Sequence, residues 1–431
     1  MRCVSRAGAC GCMVLLAGGV VAAPQQSDEP VLRRVLVTAG LQQRTVNVVS
    51  ISEQELTARD AASGATVRVP LSNVRALLPV MVPLGGIGNA GSRRGDALGR
   101  RLTSDEPAVL VTTDGQQLPG RPELGTRVTS SDQLPWVSDV LGTVLMPLED
   151  VQRLLGRAST PVRSAGTADR VYLRNADVIE GFVELVPEAP GQSITLSVDT
   201  GGDRPARIEW SAVDSVEFAA SPQAARGPWV WLSNGSSLAA SAVSVSPQGQ
   251  MVIGWPRVAA EPSLPAASLW AFVPAREHID ALAARPLVGV SPEGDRKYAQ
   301  QPRAADAPAA LGAQDIEVSG PVTAVWDLGA GALRLSGVVE MAPSDRVWGD
   351  CTVTLEDVAS GSDGALTAEG RELWTARING DSPSAAFLVD LPPADDPRTP
   401  RTPRRLRVRV GEGANGPVQD RVWLRRVLIE R

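Results

Sequence analysis

Four times in its first 275 residues, an apolar run stops at a proline or tryptophan, takes a short polar step and resumes as a second apolar run. The four stretches are "VRVPLSNVRALLP", "TVLMPLEDVQRLL", "ARIEWSAVDSVEF" and "SLPAASLWAFVP". Each is preceded by a strand-like run and a polar turn: "VLVTAGLQQRTVNVVSI", "VLVTTDGQQLPGR", "VYLRNADVIEGFVELV" and "VWLSNGSSLAASAVSV". Recurrence of one plan at near-constant spacing implies one supersecondary unit used four times. Alternation of apolar and polar residues within the runs has the period of a strand. The step "PLSNV" or "PLEDV" suits a single 3₁₀ turn between two strands, with Ser72 or Glu149 facing solvent. Amphipathic helical patterns longer than two turns are scarce, and Arg276–Ala284 is the best candidate.

Strand, turn, strand, long hairpin, 3₁₀ turn and closing strand together resemble a small barrel of the Sm-like kind. The expected repeats span 31–79, 108–155, 169–220 and 227–285, the last including the short helix. Residues 84–101, rich in Gly and Arg, read as a loop, and 286–314, rich in Pro and Ala without a strand pattern, read as a linker.

Beyond residue 315 the runs lengthen. About eight strands are expected, near Val322–Val325, Ala332–Leu335, Ser336–Met341, Cys351–Leu355, Glu372–Ile378, Ala385–Asp390, Arg405–Val410 and Val422–Glu430. The fold class is therefore mainly β: several small Sm-like β-barrels in series, then a jelly-roll or galactose-binding-like β-sandwich over 315–431. The stretch 392–405, "PPADDPRTPRTPRR", reads as a solvated excursion.

The order of motifs in this last region resembles the NPCBM family of carbohydrate-binding modules. The resemblance rests on Asp327-Leu328-Gly329, Gly337-Val338-Val339, Leu373-Trp374, Gly380-Asp381-Ser382-Pro383, Val389-Asp390-Leu391, the alternation Leu406 to Val410, and Asp420 to Leu424. It covers about a quarter of the chain. Two departures are the absence of a histidine in "QDRVWLRR" and an apparent insertion at 359–370. The resemblance implies a galactose-binding-like sandwich and, as function, recognition of a glycan.

A sandwich that binds sugar needs an aromatic platform and a few polar groups to fix hydroxyls. Trp348 follows "PSDR" and precedes Gly349-Asp350, so it is expected on a loop and exposed. Trp374 and Trp423 sit inside strands and are expected in the core with Phe387. Asp350, Asp381 and Asp420 complete the candidate carbohydrate-binding set. They are expected mainly to cap turns, with a structural Ca²⁺ as the one cofactor their chemistry allows. Trp229, Trp231, Trp255 and Trp270 form a second aromatic cluster in the fourth repeat.

Catalytic chemistry has little to work with. His278 is the single histidine, so a triad, a histidine zinc site or a histidine base would rest on it alone. No phosphate loop, dinucleotide fingerprint or HExxH motif occurs. A net charge of −6 argues against nucleic acid as a partner.

The N-terminus, "MRCVSRAGACGCMVLLAGGVVAAPQQSDEP", has a basic start at Arg2 and Arg6, a short apolar run and small residues at Ala22-Ala23. That is a signal-peptide pattern over 1–23, with cleavage expected near Ala22-Ala23. Cys3, Cys10 and Cys12 leave with it, and Cys351 remains unpaired. The mature chain is expected to be secreted or held in the periplasm or cell envelope, with no transmembrane segment. The expected function is non-catalytic binding of extracellular or envelope carbohydrate. Its rival is a structural protein–protein scaffold of the envelope.

Overall fold

The computed structural model describes residues 32–81, 84, 108–123, 133–138, 140–155, 167–186, 195–256, 261–305, 309–359, 369–392, 404–416 and 419–431. The leader, most of the 84–101 loop, residues 360–368 and residues 393–403 lie outside the described residues. Among the described residues the protein is built of antiparallel strands and 3₁₀ turns.

The first repeat holds β1 (Leu32–Thr38), β2 (Gln43–Ile51), β3 (Glu55–Asp60), β4 (Thr66–Pro70) and β5 (Val74–Leu78). The second holds β6 (Ala108–Thr112), β7 (Gln117–Pro122), β8 (Gln133–Ser138), β9 (Gly142–Pro147) and β10 (Val151–Leu155). The third holds β11 (Asp169–Leu173), β12 (Val178–Val186), β13 (Thr195–Asp199), β14 (Ala206–Glu209) and β15 (Val213–Glu217). In the fourth the long second strand is broken in two. It runs β16 (Trp229–Leu232), β17 (Ser237–Ala239), β18 (Ala242–Val245), β19 (Gln250–Gly254), β20 (Ser263–Pro265) and β21 (Leu269–Val273).

The polar steps do fold as 3₁₀ turns: Leu71–Asn73, Leu148–Asp150, Trp210–Ala212 and Ala266–Ser268. Ser72 and Glu149 are exposed on them. In every repeat the same backbone bond ties the first hairpin turn to the end of the 3₁₀ turn. Ala39 N–H donates to Asn73 O (2.7 Å), Thr113 to Asp150 (2.8 Å), Arg174 to Ala212 (3.0 Å) and Ser233 to Ser268 (2.9 Å). One local chemistry thus produces one geometry four times.

The closing strand of each repeat returns to pair with the first, giving the strand order 5-1-2-3-4. No ladder among the described residues joins the fourth strand to the fifth, so the ladders do not close each repeat into a separate barrel. The repeats share ladders instead. Strand β10 pairs with β15 (Leu154 opposite Val216), and single contacts join β5 to β21 and β7 to β17. The second strands run close to the third. Glycine allows this in two of them: a Cβ on Gly120 would lie 2.1 Å from Val137 O, and one on Gly181 2.3 Å from Asp199 O.

The C-terminal sandwich has two facing sheets. One runs β24 (Arg303–Ala304), β25 (Ile316–Ser319), β32 (Arg421–Glu430), β27 (Arg334–Met341), β30 (Ser384–Asp390), with β22 (Ile279–Ala281) also on β32. The other runs β23 (Leu287–Pro292), β26 (Val322–Gly329), β31 (Arg404–Glu412), β28 (Asp350–Ala359), β29 (Gly370–Asn379). Trp326, Cys351, Val353, Phe387, Val408 and Leu424 are among the residues buried between them. Each fully buried side chain of this size contributes on the order of 2 kcal/mol by leaving water.

Several sequence expectations are corrected here. Arg276–Ala284 is not a helix but two 3₁₀ turns flanking β22. Its backbone is taken by β32, with Ile279 opposite Glu430, and tertiary pairing outweighs local helical preference. Residues 286–314, expected as a strand-free linker, supply β23, β24 and a 3₁₀ turn at Ala310–Gly312. The two short strands expected over 332–341 are the single strand β27. Gly380–Pro383 joins two sandwich strands as expected; β29 pairs with β28 and β30 with β27, so the turn carries the chain from one sheet to the other.

The repeats pack directly on the sandwich. Val35, Val37, Leu78, Trp229 and Val273 form one buried cluster with Ile279, Leu311 and Leu428. Glu430, 7 % exposed, sits at this junction. It accepts from Arg75 Nε (2.9 Å) and from the Gly40 N–H (3.1 Å), while Arg334 lies 3.8 Å away.

Candidate functional site

Three segments meet at one end of the sandwich: 342–349, 380–383, and 413–416 with 419–420. Glycine lets them touch backbone to backbone. A Cβ on Gly349 would lie 2.6 Å from Asp345 O and 2.8 Å from Gln419 O. One on Gly380 would lie 2.6 Å from Arg346 O, and one on Gly413 only 2.0 Å from Asp350 O. Such approaches leave no room for any side chain.

Polar contacts lock the assembly. The Asp345 carboxylate takes both Nε (2.9 Å) and Nη2 (3.0 Å) of Arg421. Asp350, 3 % exposed, takes Arg377 in the same two-pronged way at 2.7 and 2.6 Å, and also accepts the Ala414 N–H at 2.8 Å. The Arg377 hydrogen bonds hold its carboxyl below the usual range. Asn415 Nδ2 donates to the Trp348 carbonyl at 3.1 Å. On this braced loop Val347 is 72 % exposed and Trp348 60 % exposed.

The sequence-predicted residues separate into distinct roles. Trp348 is on a loop and exposed. Asp350 faces inward onto Arg377. Asp381 is exposed in the sheet-crossing turn, where Asn379 Oδ1 accepts the backbone N–H groups of Asp381 (3.1 Å) and Ser382 (2.8 Å). Asp420 is buried, its Oδ1 accepting the Asp350 N–H at 3.3 Å. These aspartates do not converge as Ca²⁺ ligands, because Asp350 already spends its oxygens on Arg377 and Ala414. Among the described residues no three His, Cys, Asp or Glu side chains are placed to hold a metal ion.

Trp374 and Trp423 remain half-buried, in contrast to Phe387 at 4 %. Trp374 lies on β29, a strand at the sheet edge, and packs at 5.5 Å against the Phe387 ring. Arg377 and Asn415 were not singled out by sequence. Only the fold brings positions 377 and 415 beside 348–350, so no local signal marks them.

Asp420 is a pH-sensitive element of this end. Burial pushes its carboxyl up to about 6, reinforced by the charges of Asp350 and Glu412 and opposed by the Asp350 N–H and Arg296. Among the described residues its Oδ2 has no hydrogen-bond partner. A folded-state value above the ordinary 3.8 means the fold prefers the protonated acid. This group's contribution to stability therefore falls as pH rises between about 4 and 6. Asp420→Asn keeps an acceptor for Asp350 without the charge. It is expected to raise stability at pH 7 by about 1–2 kcal/mol and to flatten the dependence over that window. Thermal melts at pH 5 and 7 would check it, and a variant less stable than the parent at pH 7 would refute it.

The protein described so far is a repeat-bearing antiparallel β protein ending in a sandwich with an exposed, braced tryptophan. No family profile and no curated protein sequence matches the chain. Solved structures show distant likeness. The CBM51 of Clostridium perfringens GH95 in complex with methyl-galactose is 10 % identical, with TM-score 0.24, over 35 % of this chain and 99 % of that one. The CBM51-2 and INT domains of C. perfringens ZmpB are 12 % identical, with TM-score 0.24, over 44 % of this chain. This chain spans 38 % of that ZmpB chain. The insecticidal delta-endotoxin Cry8Ea1 of Bacillus thuringiensis is 10 % identical, with TM-score 0.20, over 75 % of this chain and 52 % of that one. The fold stands on the ladders above. No helix among the described residues is long and apolar enough to cross a membrane.

Proposed function

We propose that this is an exported, non-catalytic protein that binds extracellular or cell-envelope carbohydrate at the Trp348 end of its sandwich. The observation that carries this reading is the 60 % exposure of Trp348 on a loop held by Asn415 and by the Asp350–Arg377 pair. An indole carried on a loop whose backbone is held in this way offers a flat apolar face to a pyranose ring. The guanidinium of Arg377, with a side chain 58 % exposed, offers donors to its hydroxyls. The NPCBM-like motif order around this surface agrees with it. The signal-peptide pattern at Arg2, Arg6 and Ala22-Ala23 supports export.

The two side chains most open to nucleophilic or base chemistry are ill suited to it. The Cys351 thiol is fully buried, and burial pushes it up to about 12. His278 is exposed in a 3₁₀ turn, and its carbonyl accepts the Arg431 N–H at 3.0 Å.

Affinity electrophoresis of the full chain through gels containing xylan, galactomannan, chitosan or peptidoglycan tests the proposal. Retardation in at least one gel is expected, weakened about tenfold or more by Trp348→Ala with no change in melting temperature. Absence of retardation in every gel, or retardation indifferent to Trp348→Ala, would favour the envelope-scaffold alternative.

A further inference from the structure

A second cleft, of about 540 Å³, lies between the second repeat, the fourth repeat and residues 309–314, and shares no lining residue with the Trp348 surface. Its floor is aromatic. Trp229 and Trp231 stand two apart on β16 and so share a face, with ring centroids 5.8 Å apart and planes tilted by 36°. Trp270, on the adjacent β21, joins them. The Trp229 indole is fixed by donating to Arg226 O at 3.2 Å, leaving the half-buried Trp231 and Trp270 as the accessible rings.

The polar side of the cleft is organised in advance. Asp114 accepts from Thr112 Oγ1 and from Gln116 Nε2 (2.9 Å). Gln116 is itself held by Trp255 Nε1, which donates to its Oε1 at 2.9 Å. Ser236 lines the cleft at 1 % exposure, and its Oγ has no hydrogen-bond partner among the described residues. A buried hydroxyl without a partner is costly unless something completes it. Arg276 also lines the cleft, its Nη1 donating to Ile279 O at 2.6 Å and its Nη2 lying 3.8 Å from Asp280.

We propose that this cleft is a saccharide-binding site for a neutral oligosaccharide of two or three residues. Its size falls within the range of small-ligand sites. Indole faces suit the C–H faces of pyranose rings, and a carboxylate, a guanidinium and an unpaired hydroxyl around them suit a ligand rich in both donors and acceptors. A cationic ligand would meet Arg276 and an anionic one Asp114, which leaves a neutral one favoured. A proline-rich peptide uses an aromatic groove but carries few hydrogen-bonding groups to satisfy this wall. The assignment does not rest on the Trp348 reading.

The test titrates the full chain with N,N′-diacetylchitobiose, lactose and maltotriose, following tryptophan fluorescence and saturation-transfer NMR. At least one sugar is expected to bind. Trp231→Ala is expected to weaken binding about tenfold, while Trp348→Ala leaves it unchanged. Asp114→Asn, which spares the aromatic floor, should weaken the same sugar about fivefold or more. No response to any of the three sugars, a response unaffected by Trp231→Ala, or binding of decaproline in their place would overturn the assignment. Gel retardation lost in Trp348→Ala with this response retained would separate the two sites.

Discussion

Replacing Glu430 with alanine is expected to destabilise the protein by about 3 kcal/mol and to loosen the repeats from the sandwich. The carboxylate lies on the last residue of β32, yet its partners are Arg75 and the Gly40 N–H, 355 and 390 positions earlier in the chain. At 9 % side-chain exposure it is shielded from water, as is most of Arg75 at 18 %. Truncation leaves an inward-facing guanidinium and a backbone donor without this acceptor, and cavity water replaces it poorly. The apolar contacts around Leu428 remain, so the junction weakens without dissolving. Urea unfolding should show a lower midpoint, with the two regions separating into distinct transitions. A midpoint equal to the parent's would show that the ion pair only decorates the apolar contact.

Gly413→Val is the second large effect. Its Cβ would be placed 2.0 Å from the Asp350 carbonyl oxygen, and that atom is backbone, so no flexible side chain can swing aside. The turn must move away from Asp350, which breaks the Ala414-to-Asp350 bond and pulls Asn415 from the Trp348 carbonyl. Steric strain and these lost bonds together are expected to cost about 3 kcal/mol. Polysaccharide retention should vanish with them, whereas oligosaccharide binding in the cleft on the repeats should persist. A Gly413→Val protein with parental stability and retention would mean that the loop bracing is irrelevant to the Trp348 surface.

What could be read from particular residues follows from how local their causes are. "PLSNV" and "PLEDV" became 3₁₀ turns because proline, a short polar step and a β-branched residue set the backbone over a few positions, whatever surrounds them. The same holds for the Gly349-Asp350 loop that leaves Trp348 outside. By contrast, "AREHIDALAA" carries a helical pattern, but β32 had an unpaired edge to fill, and its ladder took the segment as a strand. Trp374 shows the same limit. Its strand period puts it on an inward face, but its strand ends the sheet, so the ring is covered from one side only. Gly380–Pro383 reads as a turn in either case, and only sheet pairing decides that it crosses the sandwich.

A mainly β chain, four copies of one strand-and-3₁₀ unit, and a C-terminal sandwich with an exposed tryptophan are all written in the residue order. Each of these depends on side-chain periodicity and turn chemistry within about ten residues. The tertiary structure alone decided that the repeats share ladders and clamp the sandwich through Glu430. It also decided that Asp350 turns inward onto Arg377, and that Trp231, Trp270 and Asp114 line one cleft. Those outcomes depend on which distant backbone edges and buried charges find each other, and chain spacing carries no record of that.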